Sequence, residues 1–264
     1  MGKIIAVTNQ KGGVGKTTTC INLAASLSAT KRRVLLIDID PQGNATMGSG
    51  VEKSQIERTT CNVLLGENPI SECLIKPENG DYDLLPANGD LTAAEVALIE
   101  MQQRESRLRT ALDEVRDRYD YVLIDCPPSL NMLTLNALVA SQSVMIPMQC
   151  EYYALEGLTA LLDTVEKVKS TVNPELKVEG LLRTMYDPRN NLANDVSGQL
   201  LVHFPDQVYR TIIPRNVRLA EAPSHGMPVI KYDRASRGAL AYLALAGELL
   251  RRHENTSLAN AVNG

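Results

Sequence analysis

The sequence is poor in aromatic residues: its 264 residues include one Phe, nine Tyr and no Trp. The core must then be aliphatic, which is typical of a parallel sheet that helices cover on both faces. The chain also has no apolar run near the roughly 20 residues that a membrane-spanning helix needs. Its five cysteines are odd in number and include no Cys-x-x-Cys pair, so we expect reduced thiols. Because no signal peptide is recognisable, the sequence predicts a cytoplasmic protein.

The charge of the whole chain gives no sign of nucleic-acid binding, because the formal net charge is −4. Basic residues are concentrated in one part: from residue 183 to residue 237 there are eight Lys or Arg against five Asp or Glu. Composition alone favours a solvated surface for such a segment over a nucleic-acid site. A nucleic-acid partner therefore needs support from motifs.

Short apolar runs alternate with longer helical patterns along the chain. The predicted strands are residues 4–8, 34–38, 121–125, 143–147, 178–184, 208–213 and 228–232. The predicted helices include residues 17–29, 92–117 (one amphipathic helix or a pair of helices), 131–140, 154–170, 192–203 and 237–252. This alternation predicts an α/β fold, a doubly wound and mostly parallel sheet with helices on both faces. Since no linker or repeat is visible, we expect one domain over residues 1–253 and a polar, disordered tail over residues 254–264.

The most informative stretch is Lys11-Gly12-Gly13-Val14-Gly15-Lys16-Thr17-Thr18, which follows a predicted strand and opens a predicted helix. We call residues 11–18 the phosphate loop. Glycines in this context let backbone N–H groups surround a phosphate, and the helix N-terminus adds partial positive charge. Lys16 would lie along the β- and γ-phosphates, and the Thr17 hydroxyl would bind Mg²⁺. The usual first glycine falls on Gln10, and a second lysine, Lys11, follows it, which predicts a variant loop in which two lysines serve one triphosphate.

Two aspartate segments follow predicted strands, at the sheet edge where such folds bind ligands. In Asp38-Ile39-Asp40-Pro41-Gln42-Gly43-Asn44, Asp38 ends the strand and Asp40 lies beyond it, where it could face the γ-phosphate and a water molecule. A single Asp in this position is most often a turn residue. In Tyr121-Val122-Leu123-Ile124-Asp125, four apolar residues precede an aspartate that would lie near Mg²⁺. This second pattern is weak alone and becomes specific beside a phosphate loop.

A third segment, Val208 to Arg218, is predicted to begin as a strand and to close in Pro214-Arg215-Asn216. Backbone and amide groups of such a turn can contact the edge of a nucleobase. From the residues alone, a basic surface loop explains the segment nearly as well.

Together these motifs closely resemble those of the ParA/Soj family of chromosome and plasmid partition ATPases. The resemblance extends from residue 3 to about residue 252. It rests on the phosphate loop with Asn9-Gln10 before it, on the two aspartate segments, and on Ile213-Pro214-Arg215-Asn216-Val217-Arg218-Leu219-Ala220-Glu221-Ala222-Pro223-Ser224. It also includes Glu151-Tyr152-Tyr153-Ala154-Leu155-Glu156-Gly157.

The resemblance implies an Mg²⁺-dependent ATPase that converts ATP to ADP slowly unless a partner stimulates it. ATP would lie between the two subunits of a homodimer, with Lys11 reaching the partner's phosphates. The ATP dimer would bind double-stranded DNA without sequence preference. A ParB/Spo0J-type centromere-binding protein would stimulate hydrolysis and so release the DNA. The implied localisation is cytoplasmic and nucleoid-associated, without a membrane.

The resemblance also assigns residues of this chain one by one. Catalysis would depend on Lys11, Lys16 and Asp40. The nucleotide would be bound by Lys11, Gly12, Gly13, Val14, Gly15, Lys16, Thr17, Thr18, Pro214, Arg215 and Asn216. The metal ion would be held by Thr17, Asp40 and Asp125, and the DNA by Arg189 and Arg218.

Three other kinds of protein have this type of loop and are alternatives to a partition ATPase. A MinD-like positioning ATPase would need a C-terminal amphipathic helix for the membrane, whereas Leu249-Leu250-Arg251-Arg252-His253-Glu254-Asn255 leads into polar residues. A metabolic ATP-dependent ligase would need a substrate pocket of its own, and no segment of the sequence indicates one. A nitrogenase-reductase-like protein would need cysteines placed to hold a cluster between subunits, which Cys126 beside Asp125 does not provide.

Overall fold

A six-stranded sheet forms the centre of the structure, a computed structural model that describes residues 2–263, with side chains described as far as residue 255. The strands are β1 (Lys3–Val7), β2 (Val34–Asp38), β3 (Asp83–Leu85), β4 (Tyr121–Asp125), β5 (Ser143–Gln149) and β6 (Lys177–Thr184). Their order across the sheet is β3-β2-β4-β1-β5-β6, and every neighbouring pair is parallel. The predicted doubly wound parallel sheet is thereby confirmed.

Helices cover both faces of this sheet. In chain order they are α1 (Lys16–Ala29), α2 (Asn44–Gly48), α3 (Thr60–Leu65), α4 (Ile70–Cys73), α5 (Leu91–Leu98), α6 (Arg107–Leu112), α7 (Met132–Ala140), α8 (Ala154–Thr171), α9 (Asn191–His203), α10 (Val217–Glu221), α11 (Val229–Tyr232) and α12 (Arg237–Asn263). Short 3₁₀ turns lie at Lys53–Gln55, Arg116–Arg118 and Ala222–His225.

The strands read as continuous apolar runs because alternate side chains enter two separate cores. In β1, Ile4 and Ala6 belong to one core, under helices that include α7 and α8. Ile5 and Val7 belong to the other core, under α1 and α12. All four side chains are at most 5% exposed. Burial of each large aliphatic side chain stabilises the fold by about 1.5–3 kcal/mol, so the sheet is fixed from both sides.

Parallel strands bring the residues that follow them to one edge of the sheet. The last residues of β2 and β4, Asp38 and Asp125, are partners in the strand register, and Asp125 is also the partner of Val7 at the end of β1. The phosphate loop and both aspartate segments therefore meet at this edge.

Two of the predicted strands are wrong. Residues 208–213 make only an isolated bridge, Leu181 to Val208, because the N–H groups of Arg210 and Thr211 donate to the Glu248 carboxylate at 2.9 Å and 2.8 Å. Residues 229–232 are helix α11, which begins after Pro228. The β-branched residues of this segment could not distinguish a short strand from a short buried helix.

Residues 92–117, predicted as one amphipathic cover helix or a pair of helices, are not a single helix. They divide into α5, α6 and a 3₁₀ turn, and Gln103, between α5 and α6, has a φ of +52° that no α-helix accommodates. Strand β3 was not predicted, because its three residues lie in a segment rich in Gly, Pro and Asn.

Helix α12 continues past the end predicted for it. Residues 253–263 contain neither Gly nor Pro, and the helical backbone extends to Asn263. Within the predicted tail, 254–264, the side chains from residue 256 onward and residue 264 itself lie outside the described residues. Through the part of the chain that is described, no helix combines the length and apolar character needed to cross a membrane.

Candidate functional site

The phosphate loop connects β1 to α1, and two glycines give it its shape. Gly13 and Gly15 have φ angles of +74° and +88°, in the left-handed region that favours glycine. Gly15 is the N-cap of α1, and no described side chain caps this helix, so the first-turn N–H groups can bind an anion. A methyl group added at Gly13 would meet no atom within 4 Å. The loop therefore surrounds space that phosphate groups fit.

A cavity of about 460 Å³ opens beside this loop and joins three parts of the chain. The predicted residues that line it are Gly12, Gly13, Gly15, Lys16, Thr17, Thr18, Asp40, Pro214, Arg215 and Asn216. Further lining residues, which the sequence did not predict, include Gln42, Asn44, Thr184, Met185 and Tyr242. Among these, the position of Thr184 at the carboxyl end of a predicted strand was an available signal.

Lys16, the first residue of α1, is held inside this cavity. Its side chain is buried, and Nζ donates to the Lys11 carbonyl oxygen at 3.2 Å. Burial lowers the pKa of Lys16, while the charges of Asp125 and Asp40 oppose that shift. A desolvated cation at the start of a helix is suited to binding a phosphate anion.

Lys11 and Val14 do not line the cavity. The Lys11 side chain is about half exposed and donates from Nζ to Glu151 Oε2, just after β5. Its backbone N–H donates to Asn9 Oδ1 at 3.0 Å. Val14 is buried, and its carbonyl oxygen accepts from the Thr184 hydroxyl at 2.8 Å, which fastens the loop to the end of β6. The two lysines of the loop therefore point to different surroundings.

Asp125 is buried behind the loop and next to Asp38. Burial and the neighbouring charge of Asp38 raise the pKa of Asp125. Asp125 Oδ1 accepts a weak bond from the Cys20 thiol at 3.5 Å, whereas Oδ2 has no hydrogen-bond partner among the described residues. An unpartnered carboxylate oxygen near the Thr17 hydroxyl fits a hydrated Mg²⁺ ion.

Across the described residues, no cluster of three or more His, Cys, Asp or Glu could hold a metal by itself. A metal ion here would accordingly need ligands from water and phosphate as well, which is the usual way that Mg²⁺ binds at nucleotide sites.

Asp40 lies two residues after Asp38, which ends β2. It is 7% exposed, and its Oδ1 accepts from the Gln42 N–H at 2.9 Å. Asp40 lines the cavity beside the phosphate loop. A water molecule held there would lie near the phosphate loop.

The loop of residues 214–216 forms another part of the cavity lining. The Asn216 side-chain oxygen accepts from the Leu219 N–H at 3.3 Å and so caps α10. The Arg215 N–H donates to the Tyr186 carbonyl oxygen at 3.3 Å, which fixes this loop to the chain after β6. The arrangement leaves the Asn216 amide nitrogen able to contact a base.

The two arginines predicted to bind DNA lie outside the cavity, and both are in ion pairs. Arg189 is 88% exposed and binds Asp187 at 2.7 Å. Arg218 is half exposed and binds Glu221 at 2.7 Å and Asp233 at 3.3 Å. Arg183, also counted in the basic segment, is buried and adds no surface charge.

Comparisons with known proteins agree with this geometry. The family model described as an AAA domain matches residues 2–178. The chromosome partitioning protein ParA of Myxococcus xanthus is 54% identical over 252 residues, 96% of this chain and 89% of that protein. The sporulation initiation inhibitor protein Soj of Bacillus subtilis is 54% identical over 249 residues, 94% of this chain and 98% of that protein. The chain belongs to the ParA/Soj family of partition ATPases.

A solved structure of the same fold carries a different name. It is the cobyrinic acid a,c-diamide synthase of Mycobacterium smegmatis, with a bound ATP analogue and magnesium. That protein is 38% identical to the present chain, with a TM-score of 0.85, and the likeness covers 96% of each of the two chains. The likeness supports a nucleotide-binding fold over nearly the whole chain.

Proposed function

We propose that this ParA/Soj chain is an ATP-dependent DNA-partitioning switch, in which ATP binding drives formation of a sandwich dimer. The observation that carries the proposal is the separation of the two lysines. Lys16 lines the cavity, whereas Lys11 is half exposed and turned toward Glu151. A cation outside its own cavity is available to a nucleotide held by a second subunit.

Within one subunit, the phosphate loop binds the triphosphate and Lys16 neutralises its β- and γ-phosphates. Thr17 and Asp125 would hold Mg²⁺, Asp125 through water, and Asp40 would contribute to the same site. When bound, the ion offsets charge on the phosphoryl group during transfer. Asp40 orients the attacking water, and residues 214–216 bind the adenine edge. The unpartnered Oδ2 of Asp125 and the placement of Asp40 in the cavity support these assignments.

Dimerisation then depends on the γ-phosphate. Lys11 leaves Glu151 and reaches the partner's phosphates, where a cation supplied in trans stabilises the transferring phosphoryl group. The dimer presents two copies of the basic segment with Arg189 and Arg218, binds duplex DNA without sequence preference, and so associates with the nucleoid. A ParB-type protein stimulates hydrolysis and returns the monomer.

Sedimentation velocity tests the switch directly. The protein is run with ADP and with a non-hydrolysable ATP analogue, each with and without random-sequence duplex DNA. We expect monomers with ADP, dimers with the analogue, and DNA binding only in the second case. The same oligomeric state with both nucleotides would refute the switch.

The second candidate function is an ATP-dependent ligase, which the name of the Mycobacterium smegmatis diamide synthase favours. The higher identity to ParA and Soj, 54% against 38%, supports partition instead. An assay with carboxylic acid substrates and an amide-nitrogen donor separates the two functions. ATP consumption that requires both additions would favour the ligase.

A further inference from the structure

Asp38 ends β2 beside the cavity but does not line it. Its buried carboxylate accepts three hydrogen bonds. Oδ2 accepts from the Thr46 N–H at 2.8 Å and from the Thr46 hydroxyl at 2.7 Å, and Oδ1 accepts from the Asp40 N–H at 3.1 Å. An ionised carboxylate suits three converging donors because it only accepts hydrogen bonds.

Thr46 extends this network to a third part of the chain. Its hydroxyl donates to Asp38 and accepts from the N–H of Ala87, a buried residue after β3, at 2.9 Å. The hydroxyl therefore uses its one hydrogen and a lone pair at the same time. The hydrogen bonds between Asp38 and Thr46 therefore join the two ends of the segment 38–46. Three residues of this segment, Asp40, Gln42 and Asn44, line the cavity.

Inside this closed segment, the direction of Asp40 is fixed by short-range bonds. Its N–H is bound by Asp38, its carbonyl oxygen accepts from the Gly43 N–H at 2.9 Å, and its Oδ1 accepts from the Gln42 N–H at 2.9 Å. The phosphate loop has separate fastenings, such as the bond from Thr184 to Val14. A disturbance at Thr46 should therefore move Asp40 more than it moves the phosphate loop.

We propose that Asp38 and the Thr46 hydroxyl are positioning residues for hydrolysis, which hold the Asp40 carboxylate where it orients the attacking water. The inference rests on the proposed role of Asp40. Misplacement of a reacting group by 1 Å can lower a rate by about 100-fold. The rate constant should then fall while the affinity for ATP is retained.

Thr46→Val and Thr46→Ser test this pair, because valine keeps the shape without the hydroxyl and serine keeps the hydroxyl. We expect Thr46→Val to lower kcat at least about tenfold. KM and the affinity for a non-hydrolysable analogue should stay within about threefold, and Thr46→Ser should recover most of the parent kcat. Ser141→Ala is the matched control, because Ser141 is also buried and its hydroxyl donates to the Ala137 carbonyl at 2.7 Å, away from the cavity.

Asp38→Asn is a second variant with the same expectation, and thermal melts establish that each variant is folded. Equal losses of kcat and of nucleotide affinity would overturn the inference, as would parent-like hydrolysis by Thr46→Val and Asp38→Asn. Asp40→Ala, measured beside them, distinguishes a failure of the positioning role from a failure of the proposed role of Asp40. If Asp40→Ala hydrolyses ATP like the parent, the proposed role of Asp40 is wrong. If it is inactive while the other two variants are not impaired, only the positioning is wrong.

Discussion

Lys11→Ala should leave nucleotide binding intact and prevent ATP-dependent dimerisation. The side chain that it removes lies outside the cavity and is 48% exposed in its ion pair with Glu151. Exposed ion pairs contribute about 0–1 kcal/mol, so the loss should scarcely change the stability of the monomer. Because the side chain lies outside the cavity, the affinity for ATP should change by no more than about fivefold, the equivalent of about 1 kcal/mol, in contrast to Lys16→Ala, which should abolish triphosphate binding.

The effect on the dimer should be much larger. If Lys11 contacts the partner's phosphates, its removal leaves buried negative charge without a partner, at a cost of about 2–5 kcal/mol. Since 1.4 kcal/mol corresponds to a factor of ten, each lost contact should weaken the dimer by about 30-fold to about 4,000-fold, and the symmetric dimer loses two such contacts. Such a change moves the midpoint of dimerisation beyond the protein concentrations at which the parent is fully dimeric.

Sedimentation velocity across a concentration series, with a non-hydrolysable analogue at saturation, measures this change. Glu151→Gln is the matched control, because it breaks the same ion pair and keeps the lysine. We expect Glu151→Gln to dimerise at least as well as the parent. Dimerisation of Lys11→Ala at parent concentrations would refute the assignment in trans, and equal loss in both variants would show that the ion pair itself matters.

Three further outcomes are expected. Asp40→Ala should bind ATP and dimerise but hydrolyse very slowly, whereas Asp125→Ala should weaken Mg²⁺-dependent binding; equal losses of nucleotide affinity, measured with a fluorescent analogue, would contradict this division. The double variant Arg189→Ala with Arg218→Ala should bind duplexes of unrelated sequence more weakly, by the same factor for each. The slope of log affinity against log salt concentration should fall by about one per lost contact, which anisotropy titrations can check. Undiminished affinity would mean that the DNA binds elsewhere on the protein. Glu248→Gln should destabilise the fold by about 1–3 kcal/mol in urea at neutral pH, because this carboxylate accepts from two backbone N–H groups and a hydroxyl. Hydrogen bonds lower the pKa of Glu248, although burial alone would raise it. The stabilisation by this carboxylate is therefore present above the pKa of the unfolded state and should be lost as the pH falls through the lower pKa of the folded state. A difference in stability between variant and parent that persists in acid would contradict this expectation.

The sequence predicts the sheet and the phosphate loop well because both depend on local patterns. Apolar runs such as Tyr121–Asp125 are buried on both faces, and the glycines at 13 and 15 adopt the positive φ that their residue type permits. The strand predicted over residues 228–232 is wrong because the composition of this segment fits a strand and a short helix equally well. Contacts with residues far away in the sequence decide between the two structures. There the Val229 N–H donates to Asn22 Oδ1 at 2.7 Å, a bond across 207 residues that no local pattern contains.

The same limit applies to the site. Asp40 and Lys16 could be found from their motifs, since each lies directly after a strand or at the start of a helix. Glu151 could not be linked to Lys11, because 140 residues separate them and only the adjacency of β1 and β5 brings them together. Thr46 is equally hidden, since its contact with Ala87 depends on the pairing of β2 with β3, a strand of three residues.

The separation of the two lysines follows from the backbone between them. Lys11 lies before the two glycines with positive φ, Gly13 and Gly15, and Lys16 lies after them. Lys16 then returns toward the cavity, where its Nζ binds the Lys11 carbonyl oxygen, while the Lys11 side chain extends to Glu151. A loop without a lysine at position 11 could still surround phosphates but would have no such cation for a second subunit. The usual motif is broken at position 10, where Gln10 replaces its first glycine, and Lys11 occupies a position that the motif leaves open. The proposed function assigns to Lys11 the dependence of assembly on nucleotide binding.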